Sequence, residues 1–379
     1  MKIAFDASCL AINRFSGLGE FAHNLLLHMP KLSSDVDFSL YINYFRKVVN
    51  LQEIVYPKTS NHFLKAPRRL VEFLWLFSCL PFDLYLKEID IFHSIHIHVP
   101  PTKKMKTVLT IHDCRYMAFP SIYKKREAKD YKRQMEISLN RVDMVVAISE
   151  FTRQEILNYF SFPEDRIQVI HYGFSPLKSD KSIYTQIENH VTDKEITQPY
   201  LLAPSALDAR KNLGRLIEAF AQCKQEDNGF PPLVVAGITP EQWSLSDEAA
   251  NAKRLGVFGD IVLCGVVDRD TITGLIKNAY ALCYPSLYEG FGLPPLEAMS
   301  LGTPVLAGNS SSIPEISGNA ACLVDPLDIN DISYGLSKVV YDGAYRQKLI
   351  NAGYEQINNF SWDKTSVQYL ALYREVMDR

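Results

Sequence analysis

The sequence predicts an α/β protein built from two doubly wound, Rossmann-like domains. Its 379 residues suit two domains of ordinary size, because one domain usually holds about 100–200 residues. Short apolar strand candidates alternate with longer helix candidates along the whole chain, as they do in the βα units of parallel sheets. A polar stretch with little periodicity, residues 175–199, separates two such series and indicates a linker.

Apolar runs place the strands of each series. The first half predicts strands at residues 2–7, 37–42, 89–92, 107–111 and 144–148, with helices at 19–29 and 124–141 between them. The second half predicts strands at residues 200–204, 232–236, 261–263, 281–284, 304–307 and 321–324. The last segment, 362–379, is amphipathic and follows a Ser361 cap, with Val367, Leu370 and Tyr373 on one face. We therefore predict domains at 1–175 and 199–361, a linker at 176–198, and binding in the cleft between the domains, beyond the carboxyl ends of the strands.

Composition narrows the class of protein. Apolar residues make up 47% and charged residues 22%, which excludes an intrinsically disordered or fibrous chain. The net charge of −3 argues against a dedicated nucleic-acid binder. The charge is uneven, however, because 23 basic and 18 acidic residues precede Ser175, whereas 17 and 25 follow it. The basic residues cluster near Lys103 and across 124–133, which leaves a solvated face and a contact with an anionic membrane both open.

Cysteine usage and hydropathy indicate a cytoplasmic protein. The seven cysteines are scattered and form no metal-binding pattern, which predicts free thiols in a reducing compartment. Asp6 follows the amino terminus too closely for a signal peptide, and no run reaches the roughly 18 apolar residues of a membrane span. The run 70–80, interrupted by Glu72, fits an interfacial helix or buried core, and buried core is favoured.

The window Pro-Ser-Leu-Tyr-Glu-Gly-Phe-Gly-Leu-Pro-Pro-Leu-Glu-Ala-Met, residues 285–299, is the most informative motif. A strand leads into a loop with Gly290 and Gly292, and prolines then begin a helix. Glycines let backbone N–H groups approach a ligand, and the positive end of a helix favours an anion such as a diphosphate. We expect Glu297, in the first turn of that helix, to accept hydrogen bonds from a ribose diol, or else to complement the helix dipole. Glu289 on the loop is placed to hold sugar hydroxyls.

Three other patterns carry weaker predictions, and His112 carries a stronger one. The segment Gly17-Leu-Gly-Glu-Phe-Ala22 fits a dinucleotide fingerprint, but about nine residues separate it from its strand, so a nicotinamide site is disfavoured. The two Asp-x-Asp matches, 35–37 and 268–270, are short enough to arise by chance. His96 and His98 lack a third metal ligand, which favours strand-end and loop histidines. His112 follows the strand 107–111, so it is predicted to point into the cleft.

These motifs together resemble the signature of the retaining family-4 glycosyltransferases, and in particular bacterial mannosyltransferases of surface-polysaccharide assembly. The spacing of Glu289 and Glu297 matches, and so do Asp208-Ala-Arg-Lys-Asn-Leu-Gly-Arg, Thr110-Ile-His-Asp113, Ala147-Ile-Ser-Glu-Phe-Thr152 and Phe360-Ser-Trp-Asp363. The resemblance implies the GT-B fold, in which an amino-terminal domain binds the acceptor, a carboxy-terminal domain binds the nucleotide sugar, and the last helix packs back on the first domain.

The resemblance also implies the residues of the site. It gives catalytic roles to His112, Lys211 and Glu289. It implies donor contacts from the residues Gly17, Gly19, Arg210, Lys211, Val267, Glu289, Gly290, Phe291, Gly292, Leu293 and Glu297. Many members place an arginine where this chain has Ser205 or Ala206, so one positive contact is missing, and adjacent Arg210 is the candidate to replace it.

The expected reaction is a metal-independent transfer of a hexose with retention, without any cofactor. Mannose from GDP-mannose is the first choice of donor, and UDP- or dTDP-sugars stay open. The expected acceptor is a saccharide or lipid-linked saccharide, with possible peripheral contact to the cytoplasmic face of an anionic inner membrane and no nucleic-acid partner. Two other functions stay open as alternatives: a nicotinamide-dependent epimerase or dehydrogenase, and a non-catalytic sugar-nucleotide-binding protein.

Overall fold

A computed structural model describes residues 1–12, 14, 16–45, 54–77, 80–177 and 199–379. The chain divides into two compact units, Met1–Gly173 with Phe360–Arg379, and Phe174–Asn359. Both are doubly wound parallel α/β units, so the predicted fold class is confirmed. The predicted linker, 176–198, lies outside the described residues except for its first two positions. Among the described residues, no helix is both long and apolar enough to cross a bilayer.

In the sheet of the first unit, strands are added on both sides of the first strand of the chain. Its strands, in the described part of the chain, are β1 (Lys2–Asp6), β2 (Asp37–Tyr44), β3 (Thr59–Lys65), β4 (Ile91–Ser94), β5 (Lys106–Ile111), β6 (Met144–Ala147) and β7 (Ile167–Val169). They pair in parallel in the order β3-β2-β1-β4-β5-β6-β7. The order reverses beside β1, and such a switch point is where doubly wound sheets bind ligands. Strands β3 and β7 were not predicted.

Helices cover both faces of this sheet. They are α1 (Ser8–Ile12), α2 (Gly17–Leu32), α3 (Arg68–Leu76), α4 (Arg115–Ala118), α5 (Lys125–Leu139) and α6 (Glu150–Tyr159). Helix α2 begins where the Ser16 hydroxyl accepts a hydrogen bond from the Gly19 N–H at 3.1 Å. Its Phe21, Leu25 and Met29, spaced by four residues, are buried.

The second unit repeats the plan. Its described strands are β8 (Leu201–Pro204), β9 (Leu233–Ala236), β10 (Ile261–Leu263), β11 (Ala281–Tyr284), β12 (Val305–Gly308) and β13 (Ala321–Val324), in the parallel order β10-β9-β8-β11-β12-β13. Its helices are α7 (Leu213–Glu226), α8 (Pro240–Ser244), α9 (Asp247–Arg254), α10 (Arg269–Asn278), α11 (Leu293–Ser300), α12 (Ile313–Ser317), α13 (Ile329–Tyr341) and α14 (Gly343–Gln356). Strands β9, β11 and β12 are buried along their whole length, as expected of parallel strands covered on both faces.

The last helix, α15 (Trp362–Asp378), returns to the first unit, as the fold class implied. The Tyr373 hydroxyl lies 2.6 Å from His93 Nδ1, and the Tyr369 hydroxyl lies 3.0 Å from Thr110 Oγ1. Tyr369, Leu370 and Tyr373 are buried. The prediction that Val367 shares their face is wrong, because its side chain is 55% exposed.

Helix α3 carries the apolar run that the sequence analysis favoured as buried core. Its Val71 and Trp75 do join a core cluster, but Leu70 and Phe73 are more than half exposed. The interpretation as buried core is therefore wrong for one face of the helix. Residues 78 and 79 of the run lie outside the described residues.

Candidate active site

The lysine motif of the second unit is held in place by an asparagine that the sequence analysis did not single out. A turn of 3-10 helix, Ala209–Lys211, leads to Asn212, which adopts the left-handed conformation (φ 59°) and begins α7. Asparagine tolerates this conformation better than most residues. Its buried amide donates to the carbonyls of Pro285, at 3.0 Å, and Pro326, at 2.6 Å. The lysine turn is thereby attached to the loop that follows β11.

The glycine-bearing loop after β11 is fixed from its other side by two serines. The Glu289 N–H donates to Ser311 Oγ at 3.0 Å. The Ser312 hydroxyl, buried, lies 2.9 Å from the Glu289 carbonyl and 2.8 Å from that of Phe291. Gly292 has φ +106°, and a Cβ there would meet Ile313 Cδ1 at 2.7 Å, so glycine is required. The loop therefore holds Glu289 in a defined position.

Lys211 and Glu289, two predicted catalytic residues, form an ion pair. Lys211 Nζ lies 2.7 Å from Glu289 Oε1 and 2.8 Å from the Tyr284 hydroxyl. The side chains of Lys211 and Glu289 are only 22% and 15% exposed. Burial, and then the charge of Glu289, raise the pKa of Tyr284 well above its ordinary value, so the phenol stays protonated. This cluster presents a fixed positive charge and a carboxylate at one edge of the sheet.

Glu297 belongs to a second ion pair. Its Oε1 lies 3.1 Å from Arg269 Nη2, and its side chain is 14% exposed. The placement of Glu297 in the first turn of α11 was wrong: the helix begins at Leu293, directly after Gly292, so Glu297 lies in the second turn and does not complement the helix end. The Asp-x-Asp match beside Arg269 has a structural role, because Asp268 Oδ1 accepts from the Thr271 N–H at 2.8 Å and caps α10.

Arg210 is already paired. Its Nη2 lies 2.6 Å from Asp208 Oδ2 and its Nε 3.1 Å from Oδ1, in a bidentate contact. A phosphate at Arg210 would share the guanidinium with Asp208, and its role in place of the missing arginine stays a prediction. Val267, predicted to lie near the nucleotide base, is half-buried and follows Gly265, which has φ +68°.

The histidine of the first unit has partners on both ring nitrogens. His112 Nε2 lies 3.0 Å from the Ile95 carbonyl, and Nδ1 contacts the Tyr172 hydroxyl. A carbonyl only accepts, so Nε2 carries the proton and Nδ1 accepts from Tyr172. Burial, with a smaller contribution from His96, lowers the pKa of His112 to about 3, so the ring is neutral. A bond to the donor sugar requires one nitrogen to change partner, and that role stays a prediction.

The family resemblance places Gly17 and Gly19 on the loop of the first domain that faces the donor diphosphate, and this placement is wrong, because both lie in the first turn of α2. The Ser16 cap extends the helix to Gly17. Phe21, one turn further, packs edge-on against His112 with ring centroids 5.3 Å apart. Helix α1 separates β1 from these glycines, which further disfavours a nicotinamide fingerprint, because a true one follows its strand directly. Their contact with a diphosphate stays a prediction.

Buried histidines make the first unit sensitive to acid. It contains eight of the nine histidines. Burial lowers the pKa of His93 to about 3 and that of His96 to about 4. The unfolded chain therefore binds protons below pH ~6.5 that the folded unit does not, and each such histidine costs up to ~1.4 kcal/mol of stability per pH unit.

We therefore expect the first unit to be fully stable above about pH 6.5 and to lose stability as the pH falls toward 4. Hydrogen exchange of the full chain at pH 7 and pH 5 should show the loss of protection in β4 and β5 before β9 and β11. Equal loss in both units would contradict this explanation.

No group of three potential metal ligands is present among the residues that the structure describes. Independence from metal ions stays a prediction for experiment.

Two parallel-sheet Rossmann-like units, the second with Lys211 beside Glu289 in loops that follow its strands, fit a glycosyltransferase of the two-domain type. Family models agree: "Glycosyltransferase Family 4" matches residues 15–176 and "Glycosyl transferases group 1" matches residues 185–356. The chain belongs to the family-4 glycosyltransferases with the GT-B fold, as the sequence motifs indicated.

Several relatives and solved structures resemble the chain. The O-antigen chain mannosyltransferase B of Escherichia coli is 26% identical, over 99% of this chain and 100% of the relative. The serotype-specific mannosyltransferase WbdA of Escherichia coli is 28% identical over 69% of this chain, but only 32% of WbdA is covered. The structure of Anabaena HepE with UDP and glucose has a TM-score of 0.70 at 16% identity, covering 99% and 100% of the two chains. The lipopolysaccharide glycosyltransferase WaaG has a TM-score of 0.68 at 16% identity, covering 97% and 98%. At such identities the structures show the shared fold.

Proposed function

We propose that the protein transfers mannose from GDP-mannose, with retention at the anomeric carbon, to a saccharide or lipid-linked saccharide in cell-surface polysaccharide assembly. The cluster of Lys211, Glu289 and Tyr284 carries the proposal, because it offers a cation for a diphosphate beside a carboxylate for sugar hydroxyls. The choice of mannose is supported by the full-length match to an O-antigen chain mannosyltransferase.

In the proposed reaction, the bond between the anomeric carbon and the diphosphate oxygen breaks while an acceptor hydroxyl forms its bond on the same face. The hydroxyl proton passes to the departing phosphate oxygen, and GDP leaves. Negative charge builds on the diphosphate, and Lys211 stabilises it together with the backbone N–H groups of Gly290, Phe291, Gly292 and Leu293. In other transferases magnesium supplies the positive charge that stabilises the diphosphate. We propose that Lys211 and the backbone N–H groups take this role, so that no metal ion is needed here.

Glu289 and Glu297 have separate tasks in this proposal. Glu289, fixed by Ser311 and Ser312, accepts hydrogen bonds from hydroxyls of the donor sugar. Glu297 accepts from the ribose diol, while Arg269 holds its carboxylate in place. Val267 contacts the base. An apolar contact of this kind does not select one base, so UDP- and dTDP-sugars are alternative outcomes of the donor panel below.

A donor panel tests the proposal. GDP-mannose, UDP-glucose, UDP-galactose, dTDP-rhamnose and NADH are compared by thermal shift. The four sugar nucleotides are also compared by release of the free nucleoside diphosphate, with and without EDTA. We expect GDP-mannose to give the largest shift and the fastest release, unchanged by EDTA. Activity lost in EDTA and restored by manganese would contradict the metal-independent mechanism. A shift without turnover toward any saccharide acceptor would indicate a non-catalytic binding protein, and a response to NADH alone would favour the nicotinamide enzyme.

We further propose peripheral contact with an anionic membrane, at its cytoplasmic face. Helix α3 and its C-cap residue Phe77 expose an apolar stripe at helical spacing, with Leu70 51%, Phe73 55%, Leu74 37% and Phe77 56% exposed. Basic residues of α5 are exposed in the same unit: Lys125, Arg126, Lys129, Lys132 and Arg133. Apolar burial and attraction to anionic headgroups together produce interfacial binding.

The proposed membrane contact predicts that substitutions in the apolar stripe of α3 weaken binding to vesicles. Sedimentation with phosphatidylglycerol vesicles at low salt should bind the wild-type protein, and Leu70→Ser with Leu74→Ser should weaken binding about tenfold or more. Val367→Ser removes an equally exposed apolar side chain from α15 and is the matched control, expected to bind as the wild type does. Wild-type protein that stays in the supernatant would contradict the proposal.

A further inference from the structure

Tyr172 and Tyr373 are both buried, and each brings its hydroxyl to Nδ1 of a histidine in the first unit. The two histidines differ in how far they are covered. Tyr373 contacts His93, which is 0% exposed, whereas Tyr172 contacts His112, which is partly exposed. A ligand can therefore reach His112, but not His93. The family resemblance gives His112 a place beside the donor sugar and assigns no part to Tyr172.

His112 has one nitrogen that can accept a hydrogen bond. Nε2 lies 3.0 Å from the Ile95 carbonyl and carries the ring proton, because a carbonyl only accepts. Burial raises the pKa of Tyr172, so its hydroxyl stays protonated and donates to Nδ1. An unprotonated ring nitrogen accepts one strong hydrogen bond. The Tyr172 hydroxyl and a sugar hydroxyl therefore cannot both donate to Nδ1.

The partner of Nε2 is held more firmly than the partner of Nδ1. Ile95 is buried and directly follows β4, so its carbonyl is fixed at the end of a strand that pairs with both β1 and β5. The Tyr172 hydroxyl ends a long side chain on the segment after β7, outside every helix and strand. Displacing this hydroxyl moves one side chain, whereas displacing the carbonyl disturbs the sheet. A ligand thus exchanges with Tyr172 more readily than with Ile95.

The segment that carries Tyr172 is held independently of its hydroxyl. A Cβ on Gly173 would lie 2.4 Å from Trp362 Cα, so the backbone beside Tyr172 packs closely on the start of α15. The Tyr172 ring stacks on that of Phe21, with ring centroids 4.9 Å apart. Phenylalanine at position 172 keeps both contacts. The substitution Tyr172→Phe should therefore remove the hydroxyl and leave the segment in place.

We propose that Tyr172 and the donor sugar compete for Nδ1 of His112: a hydroxyl of the bound sugar displaces the Tyr172 hydroxyl and donates to the same nitrogen. The inference rests on the proposed function, because it takes the ligand to be a nucleotide sugar. Tyr172 is a positioning residue that acts through His112. Together with the Ile95 carbonyl it keeps the ring proton on Nε2, so Nδ1 is reserved for a group that donates.

The experiment compares the dissociation constants of GDP-mannose and GDP for the full chain by calorimetry. Tyr172→Phe should bind GDP-mannose about 10-fold more tightly than the wild type, because no buried hydroxyl loses its partner when the sugar binds. GDP carries no sugar to compete for Nδ1, so its binding should change by no more than about twofold.

Tyr373→Phe is the matched control. It breaks the same kind of hydrogen bond, 2.6 Å long, at the wholly buried His93. Both dissociation constants should stay at their wild-type values. Equal effects in Tyr172→Phe and Tyr373→Phe would overturn the proposal, because they would reflect a general loosening of the first unit. Unchanged or weaker binding of GDP-mannose by Tyr172→Phe would also overturn it.

A second measurement uses the wild-type protein. Imidazole 15N spectra, with the His112 signals assigned from His112→Gln, should show the Nδ1 signal move with GDP-mannose but not with GDP. A signal that moves equally with both ligands, or with neither, would overturn the proposal even if Tyr172→Phe fails to fold.

The same comparison separates this proposal from the choice of donor. If a UDP- or dTDP-sugar of the donor panel binds instead of GDP-mannose, it is compared with its own nucleoside diphosphate, and only the choice of GDP-mannose has failed. If GDP-mannose is turned over and the ratio of the two dissociation constants is the same in Tyr172→Phe and the wild type, only the competition for Nδ1 has failed. If no sugar nucleotide binds the wild type, both proposals fail.

Discussion

Replacing Lys211 by alanine should lower kcat about 100- to 1000-fold, which is the usual cost of removing one group that stabilises charge in a transition state. The ammonium is fixed between Glu289 and Tyr284, so in the proposed complex it meets the diphosphate from a position that is already set. Alanine also leaves Glu289 without its countercharge beside the leaving group. Release of GDP from GDP-mannose under saturating acceptor measures the effect.

The control for this substitution is Lys253→Ala, which removes an exposed lysine from the same unit. It should keep wild-type turnover. Lys211→Ala leaves the buried Glu289 without its countercharge, so its thermal transition should fall, and circular dichroism at the assay temperature establishes that the variant is still folded when its turnover is measured. Full activity in Lys211→Ala would show that the donor diphosphate binds elsewhere.

Glu297→Ala should raise the donor KM about 10- to 100-fold, because two ribose hydroxyls lose a charged acceptor. We expect kcat to change much less, since the ribose is bound equally in the ground and transition states. Initial rates over a range of GDP-mannose concentrations separate the two constants.

Arg269→Ala distinguishes binding of the ribose from a purely structural role of the pair. It breaks the 3.1 Å contact with Glu297 but keeps the carboxylate. A smaller rise in KM than in Glu297→Ala supports direct contact with the donor, whereas an equal rise in both variants would mean that Glu297 acts only by holding Arg269.

Most of the two sheets could be predicted from sequence because parallel strands are short, continuous apolar runs. The exceptions have physical reasons. β3 lies at the sheet edge, begins Thr-Ser-Asn-His and is only half-buried, so it lacks an apolar run. β7, at the other edge, has three residues. Helix α3 shows the same limit, because an apolar run does not reveal which face packs on the core.

The donor motifs were visible for a related reason: glycines, prolines and acids occur at fixed spacing along one loop. The groups that hold them in place were not visible. Asn212 and Ser312 reach the loop from the segments after β8 and β12, and Tyr284 ends the strand that leads into it. Their partners are set by tertiary contacts, which have no sequence signature of their own. Arg269 lies between Asp268 and Asp270, so this segment matches the Asp-x-Asp metal motif and the arginine itself was not predicted as a site residue.

The measurement that tests the central claim most directly is the structure of the product. The full chain is incubated with GDP-α-mannose and a mannose-terminated saccharide in EDTA, and the new linkage is examined by NMR at its anomeric carbon. A retaining, metal-independent mannosyltransferase gives an α-linked mannose and one equivalent of GDP. A β-linked product, or a product formed only after manganese is added, would contradict the account.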